Sequence, residues 1–481
     1  MSALLKRNGV YAASFYFISM FLPLILAPYA ARILGADGLG EIAYAQAIFI
    51  YFQLLAGLGS GAYGQRLIAK STKNNSSLSV AFLEIWLLKI ILGIVGIFIF
   101  VVSIRNFDYP LKILLYVQIV DLTINFVDIS WFYQGMQNFK KVIIQQLMIK
   151  LCTVFFVFSF VQDENDTFIY LLCFSIPTFC GYFLMWKNIT EHINFKEISS
   201  AKPFRHLKGL LILFAPFVAI LLFAYIDRLL IGFITQDMSQ VGLYDMSFKF
   251  AAISIGLSTA ISTVLMPNIT SAYANGEFDY IKNTLTKALE VSVFMGMFSF
   301  LCLFYVSPYL IPWFLGSEFT ASVDILKILS FVVYSKSITI LLGSGLMIAV
   351  ERDKIYVIFI WISLLLNIGL NVLLIPNFGA SGAATASAIS EILLVITLIV
   401  HNRNFISNQS LKVFSIYTIS AIPVIILMYH SNSYVEANIT NTILIFLYVT
   451  FLYGAVLFVI FKRFYVIHLI MDVFRRKIKD D

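Results

Sequence analysis

Apolar residues in this chain fall in long, nearly unbroken runs separated by short polar stretches. Fourteen of the runs have the length of a membrane crossing: about 9–32, 40–62, 78–103, 111–132, 142–161, 167–186, 207–234, 242–266, 287–307, 323–348, 355–376, 380–400, 411–429 and 441–461. A helix rising ~1.5 Å per residue needs about 20 apolar residues to cross the hydrocarbon core. Strands of a membrane barrel would instead show segments of about ten alternating residues, and these runs are far longer. Helices pair every backbone group within one segment, so the pattern predicts an all-α polytopic membrane protein with about 14 transmembrane helices.

One stretch departs from the pattern, Asp121 to Lys141, DLTINFVDISWFYQGMQNFKK. At 100° per residue, Asp121, Asn125 and Asp128 fall within an arc of about 60° on an otherwise apolar helix. A carboxylate facing lipid costs several kcal/mol, so this face should look into a bundle interior or a wet cavity. Trp131, Phe132 and Tyr133 then read as an interfacial aromatic belt, with Lys140 and Lys141 beyond it as cytoplasmic charges.

Composition agrees: of 481 residues, 60% are hydrophobic and only 12% charged, with a mean hydropathy of +0.90. The net charge of +7 invites a nucleic-acid reading, but the basic residues sit in short loops between spans. With the N-terminus inside, the cytoplasmic loops and tail hold about 24 of the 33 Lys and Arg, while the outer loops keep Arg32, Arg105 and Lys112. The charge therefore encodes orientation. It places a multi-pass protein in the cytoplasmic membrane with both termini cytoplasmic, and no nucleic-acid partner is expected. Lys6 and Arg7 precede a run too long for a signal-peptide core, which reads as an uncleaved first span. Cys152, Cys173, Cys180 and Cys302 lie in apolar runs without metal-ligand spacing, so no metal site is expected.

An internal repeat is visible. Span 2 enters at Gly40-Glu41-Ile42-Ala43-Tyr44 and span 8 at Gly242-Leu243-Tyr244-Asp245, while spans 4 and 10 exit through comparable polar turns. The organisation expected is an N-lobe over 1–186, a cytoplasmic linker over 187–206 and a C-lobe over 207–400. Residues 401–481 add spans 13–14 and a basic tail, so two pseudo-symmetric six-helix lobes carry two extra helices. Pro23 and Pro28 interrupt span 1, and Pro216 interrupts span 7, the first span of the second half. Each removes a helical hydrogen bond, giving either a static kink or a hinge flanking a cavity.

Several stretches together carry a family resemblance. They are Arg32-Ile33-Leu34-Gly35-Ala36-Asp37-Gly38-Leu39-Gly40, Asp128-Ile129-Ser130-Trp131-Phe132-Tyr133-Gln134-Gly135, and Tyr225-Ile226-Asp227-Arg228 with Val241-Gly242-Leu243-Tyr244. Asn367, Asn371, Pro376 and Gly379-Ala380-Ser381-Gly382-Ala383-Ala384 complete the set. In that order the chain resembles the oligosaccharide flippases of the Wzx type, which serve O-antigen, capsule and exopolysaccharide assembly. These belong to the polysaccharide transporter branch of the multidrug/oligosaccharidyl-lipid/polysaccharide exporter superfamily. The resemblance implies a two-lobe transporter that moves undecaprenyl-diphosphate-linked oligosaccharide to the outer leaflet by alternating access. It also implies coupling to a proton or sodium gradient, contact with membrane lipids, and polymerase and other polysaccharide-assembly proteins as partners. No cofactor is implied.

A diphosphate in a low-dielectric path needs fixed cations, preferably Arg for its bidentate fork. The candidates are Arg32, Lys89, Lys150, Arg228, Lys249 and Lys336, with Asn125, Asn367 and Asn371 as neutral polar contacts. Lys89, Lys150 and Lys336 have no partner at helical spacing, which makes them functional candidates by default. Asp245 and Lys249 stand at i, i+4 and either serve the cargo or neutralise each other. Asn367 and Asn371 either line the second lobe or bond neighbouring helices. For ion coupling the candidates are Asp121, Asp128, Asp227 and Glu391, since a desolvated carboxylate can carry a proton. Pairing of these acids with the lysines is the structural alternative. Glu41 and Glu290 lie near span ends and read as solvated, as does the Asp163-Glu164-Asn165-Asp166 turn.

Two rivals remain. A drug/cation antiporter of the same superfamily would need a cavity dominated by acids and aromatics, against the several mid-span cations here. A membrane-embedded polymerase or glycosyltransferase would need a sizeable outer loop, and no loop here is large. The expectation is a transporter and not an enzyme.

Overall fold

The computed structural model describes the backbone of residues 3–71, 75–430 and 436–461; the side chains of 3–24, 75–77, 212–213, 215–217, 264, 430 and 460–461 fall outside that description. Lys73, the tail from Lys462 onward, and the side chains of Lys6, Arg7, Pro23 and Pro216 therefore lie outside the described residues. Regular structure among the described residues is helical throughout. The first elements are α1 (Ala3–Gly57), α2 (Ser60–Ser71), α3 (Asn75–Ile104), α4 (Leu111–Val127), α5 (Ser130–Gly135), α6 (Phe139–Phe160) and α7 (Thr167–Leu184). Three short 3₁₀ turns between Ile189 and His206 lead into α8 (Leu207–Thr235) and α9 (Met238–Ala274). Then come α10 (Phe278–Phe314), α11 (Ser322–Ile340) with a π-helical continuation Leu341–Met347, α12 (Asp353–His401), α13 (Asn408–Ile419), α14 (Ala421–His430) and α15 (Ile439–Phe461).

Twelve helical stretches among the described residues are long and apolar enough to cross a membrane. Two of them, Ile25–Ser71 and Asp353–His401, run to 47 and 49 residues. A straight helix of that length would be about 70 Å long, more than twice the hydrocarbon thickness. Each is bent at a glycine in the left-handed region, Gly35 at φ 67° and Gly379 at φ 54°, where a Cβ would be strained. The second bend is a full reversal: Asn367 Nδ2 donates to Ser387 Oγ at 3.1 Å, although a straight helix would hold residues so spaced about 30 Å apart. At the first, Tyr29 on one side of Gly35 donates to the Val161 carbonyl at 2.7 Å, and Gly38 on the other side lies against Thr167. Expected spans 1 and 2, and likewise 11 and 12, are thus helical hairpins without intervening loops. That reconciles twelve continuous stretches with fourteen expected crossings.

The chain packs as two compact units, Met1–Gly242 and Leu243–Asp481. Within the first, α8 packs on α1 and α2. The segment 187–206 is docked on the same unit. The Asn194 N–H donates to Ser79 Oγ at 3.0 Å, and the Lys202 N–H to Glu84 Oε1 at 2.8 Å. Glu84 Oε2 also meets Arg205 at 2.6 Å and His206 Nε2 at 2.9 Å, and His206 Nδ1 meets the Tyr63 hydroxyl at 3.0 Å. Glu84 is fully buried.

The expected aromatic belt is instead part of a core. Trp131, Phe132 and Tyr133 are 2%, 0% and 1% exposed and pack with Phe82, Trp86, Met185 and Trp186. The reason is local: α4 stops at Val127, and the chain turns inward into the short α5.

Candidate functional site

The first unit holds an open cavity of about 440 Å³. Its walls come from four helices. α1 supplies Gln46, Phe49, Ile50 and Gln53; α4 supplies Gln118, Asp121, Ile124 and Asn125; α7 supplies Thr178 and Tyr182; α8 supplies Tyr225; and Asp128 follows α4. The geometry follows from helical spacing, because Gln118, Asp121 and Asn125 stand at i, i+3 and i+7 and so share one face. Asp121, Asn125 and Asp128 all line this cavity. Gln46 and Gln53 carry no signal of their own in the sequence, whereas extending the Asp121 stripe one turn back reaches Gln118.

Asp128 itself is not on the helix. It closes α4 with an extended backbone (ψ 108°), and its Oδ1 accepts the Ser130 N–H at 2.7 Å. A helix end leaves its last carbonyls without intrahelical donors. Here the Phe126 carbonyl takes the Trp86 indole N–H at 3.0 Å, and the Val127 carbonyl takes that of Trp186 at 2.8 Å. The Asp128 carbonyl takes Lys89 Nζ at 2.8 Å and the Trp131 indole at 3.1 Å. Lys89 is buried beside Trp131. A cation at a helix C-terminus is favourable, so Lys89 has a structural task on the backbone of a cavity residue.

The other candidates divide between the units. Arg228 is buried, donates to the Ala224 carbonyl at 2.7 Å and lies 5.3 Å from the ring centre of Tyr225, a cavity residue. Asp227 is buried on the same helix, Arg32 is exposed, and Lys150 is half-buried on α6. None of the six basic candidates is part of the cavity wall. In the second unit Lys249 pairs with Asp245 at 2.8 Å. Lys336 and Glu391, which the sequence assigns to cargo and ion respectively, form one ion pair at 2.8 Å with the carboxylate fully buried. Asn371 Nδ2 donates to Asn367 Oδ1 at 3.0 Å, and Asn367 to Ser387; this amide chain ties the two arms of α12 together. Glu290 is buried and accepts the Tyr417 hydroxyl at 3.1 Å, contrary to the solvated reading. Of the hinge candidates, Pro28 is half-buried in α1, and α8 runs unbroken through position 216.

The fold is that of multi-pass membrane transporters. The lipid II flippase MurJ, in an inward closed conformation, superposes with a TM-score of 0.73 at 18% identity, covering 94% of this chain and 100% of that one. An inward-facing multidrug resistance transporter of the MATE family gives 0.64 at 12% identity, over 82% and 97%. The family described as "Polysaccharide biosynthesis protein" matches residues 5–273, and the chain belongs to that family. A protein of Shigella dysenteriae named as an O-antigen transporter is 21% identical over 82% of this chain and 99% of its own length. Its namesake in Escherichia coli strain K12 is 24% identical over 83% and 97%. The low-salt glycan biosynthesis flippase Agl15 of Haloferax volcanii is 28% identical over 40% of this chain and 39% of its own.

Proposed function

We propose that this protein flips an undecaprenyl-diphosphate-linked oligosaccharide from the inner to the outer leaflet of the cytoplasmic membrane, supplying surface polysaccharide assembly. A transporter of this family needs a polar enclosure inside an apolar bundle. The observation that carries the reading is the cavity walled by Gln118, Asp121, Asn125 and Asp128. Alternating access driven by a proton or sodium gradient completes it, with Asp121 as the carboxylate that exchanges the ion. The diphosphate is left to cations outside this cavity, such as Arg228 beside Tyr225.

The acidic and aromatic lining favours a second reading, a cationic-drug antiporter. One experiment separates them. In cells lacking the protein, flipping predicts lipid-linked oligosaccharide accumulating on the cytoplasmic leaflet and surface polysaccharide disappearing, both reversed by the wild type. Unchanged polysaccharide together with heightened sensitivity to cationic drugs gives the case to the antiporter.

A further inference from the structure

The same cavity contains a mismatch that selects its ligand. Gln118 is 1% exposed, and neither its Nε2 nor its Oε1 has a hydrogen-bond partner; the buried Nδ2 of Asn125 also lacks one. Both residues line the cavity. A buried polar group without a partner is costly, and each such group calls for an explanation.

Three ligand classes can be weighed against those atoms. A metal ion or proton satisfies acceptors, so it could take Asp121 and Asp128 but would leave the two amide N–H₂ groups unanswered. A phosphate satisfies donors only and would face two carboxylates with no basic side chain in the wall. A hydroxyl donates and accepts, so a neutral polyhydroxyl compound answers amide donors, amide oxygen and carboxylates together. Gln46 and Gln53 add two more amides, and Tyr182 and Tyr225 add aromatic residues to the lining.

We infer that this cavity is a saccharide subsite, taking the neutral sugar end of the cargo, with Gln118 and Asn125 as its selecting residues. The inference rests on the flippase reading and deepens it: the diphosphate is excluded from this cavity, so the two ends of the cargo are held apart.

The test uses the full-length protein in lipid nanodiscs. The probe is the mixture of neutral oligosaccharides released by partial acid hydrolysis of the host's surface polysaccharide, read by saturation transfer from protein to sugar protons. Wild type should transfer saturation. Gln118→Leu, which removes an unanswered buried amide at similar volume, should lose at least tenfold of that signal while its melting temperature holds or rises. Asn125→Ala should lose it as well. No transfer in wild type overturns the subsite, and so does equal transfer in wild type and both variants. Export complementation is scored in parallel on the same variants. Restored export by wild type without saturation transfer removes the subsite and leaves the flippase; failed export by wild type removes the flippase whatever the spectra show.

Discussion

Gly40 and Gly242 meet backbone against backbone: a Cβ built on Gly242 would lie 3.0 Å from the Gly40 nitrogen and clash with the Ala36 carbonyl oxygen, and one on Gly40 would clash with that of Met238. The obstacle is main chain, which cannot swing aside as a side-chain end can.

Gly242→Ala should therefore lower export by at least tenfold at matched protein level, or lower the amount of folded protein. Gly61→Ala is the control: nothing lies within 4 Å of its added methyl, and alanine is favoured over glycine in a helix by up to about 1 kcal/mol. Quantitative complementation with immunoblotting reads both.

Glu84→Ala removes the buried acceptor shared by Arg205, His206 and the Lys202 N–H. The cost should be about 3 kcal/mol, because a buried amide and imidazole lose their partner. Thermal unfolding in detergent should show it as a lowered midpoint. Protease cleavage within 187–206 should also become faster.

In the second unit, Lys336→Met strands the buried Glu391 carboxylate and should destabilise by on the order of 3 kcal/mol. Lys336→Met with Glu391→Leu should recover most of that loss. A double-mutant cycle on unfolding midpoints measures the coupling, and additive losses would contradict the pair.

Trp186→Phe keeps an aromatic ring in the core but withdraws the N–H from the Val127 carbonyl. The expected loss is about 1 kcal/mol, with export reduced several-fold because Asp128 follows directly on that carbonyl.

Asp121→Asn should abolish export without altering protein level. Asp128→Asn should be milder, since an asparagine oxygen can still accept the Ser130 N–H. Equal export from Asp121→Asn and wild type would remove Asp121 from the transport cycle.

Apolar run lengths made the helices legible, and the i, i+4 spacing of Asp121 and Asn125 made one cavity wall legible, because both signals are local. The Trp86 and Trp186 contacts with the end of α4 join residues 40 and 59 positions apart. Glu84 finds His206 across 122. No local periodicity encodes such pairs. The lysines misled for the same reason: Lys89 and Lys336 look unpaired in the sequence, yet one holds a carbonyl and the other a carboxylate from distant segments. The breaks around Gly35 and Gly379 were legible as boundaries between apolar runs, but the helical continuity through them was not, because a single left-handed glycine makes each turn.

The placement of α8 in the first unit bears on biogenesis. Tyr225 lines the cavity, yet it is synthesised roughly 40 residues after α7 ends. At 5–20 residues per second, the amide and carboxylate face of α4 waits about 2–8 s in the membrane without its last wall. During that interval a membrane insertase or chaperone holding the nascent chain would shield it from lipid. Truncation after 206 should leave a fragment that such quality control degrades, whereas one ending at Gly242 carries every residue of the enclosure.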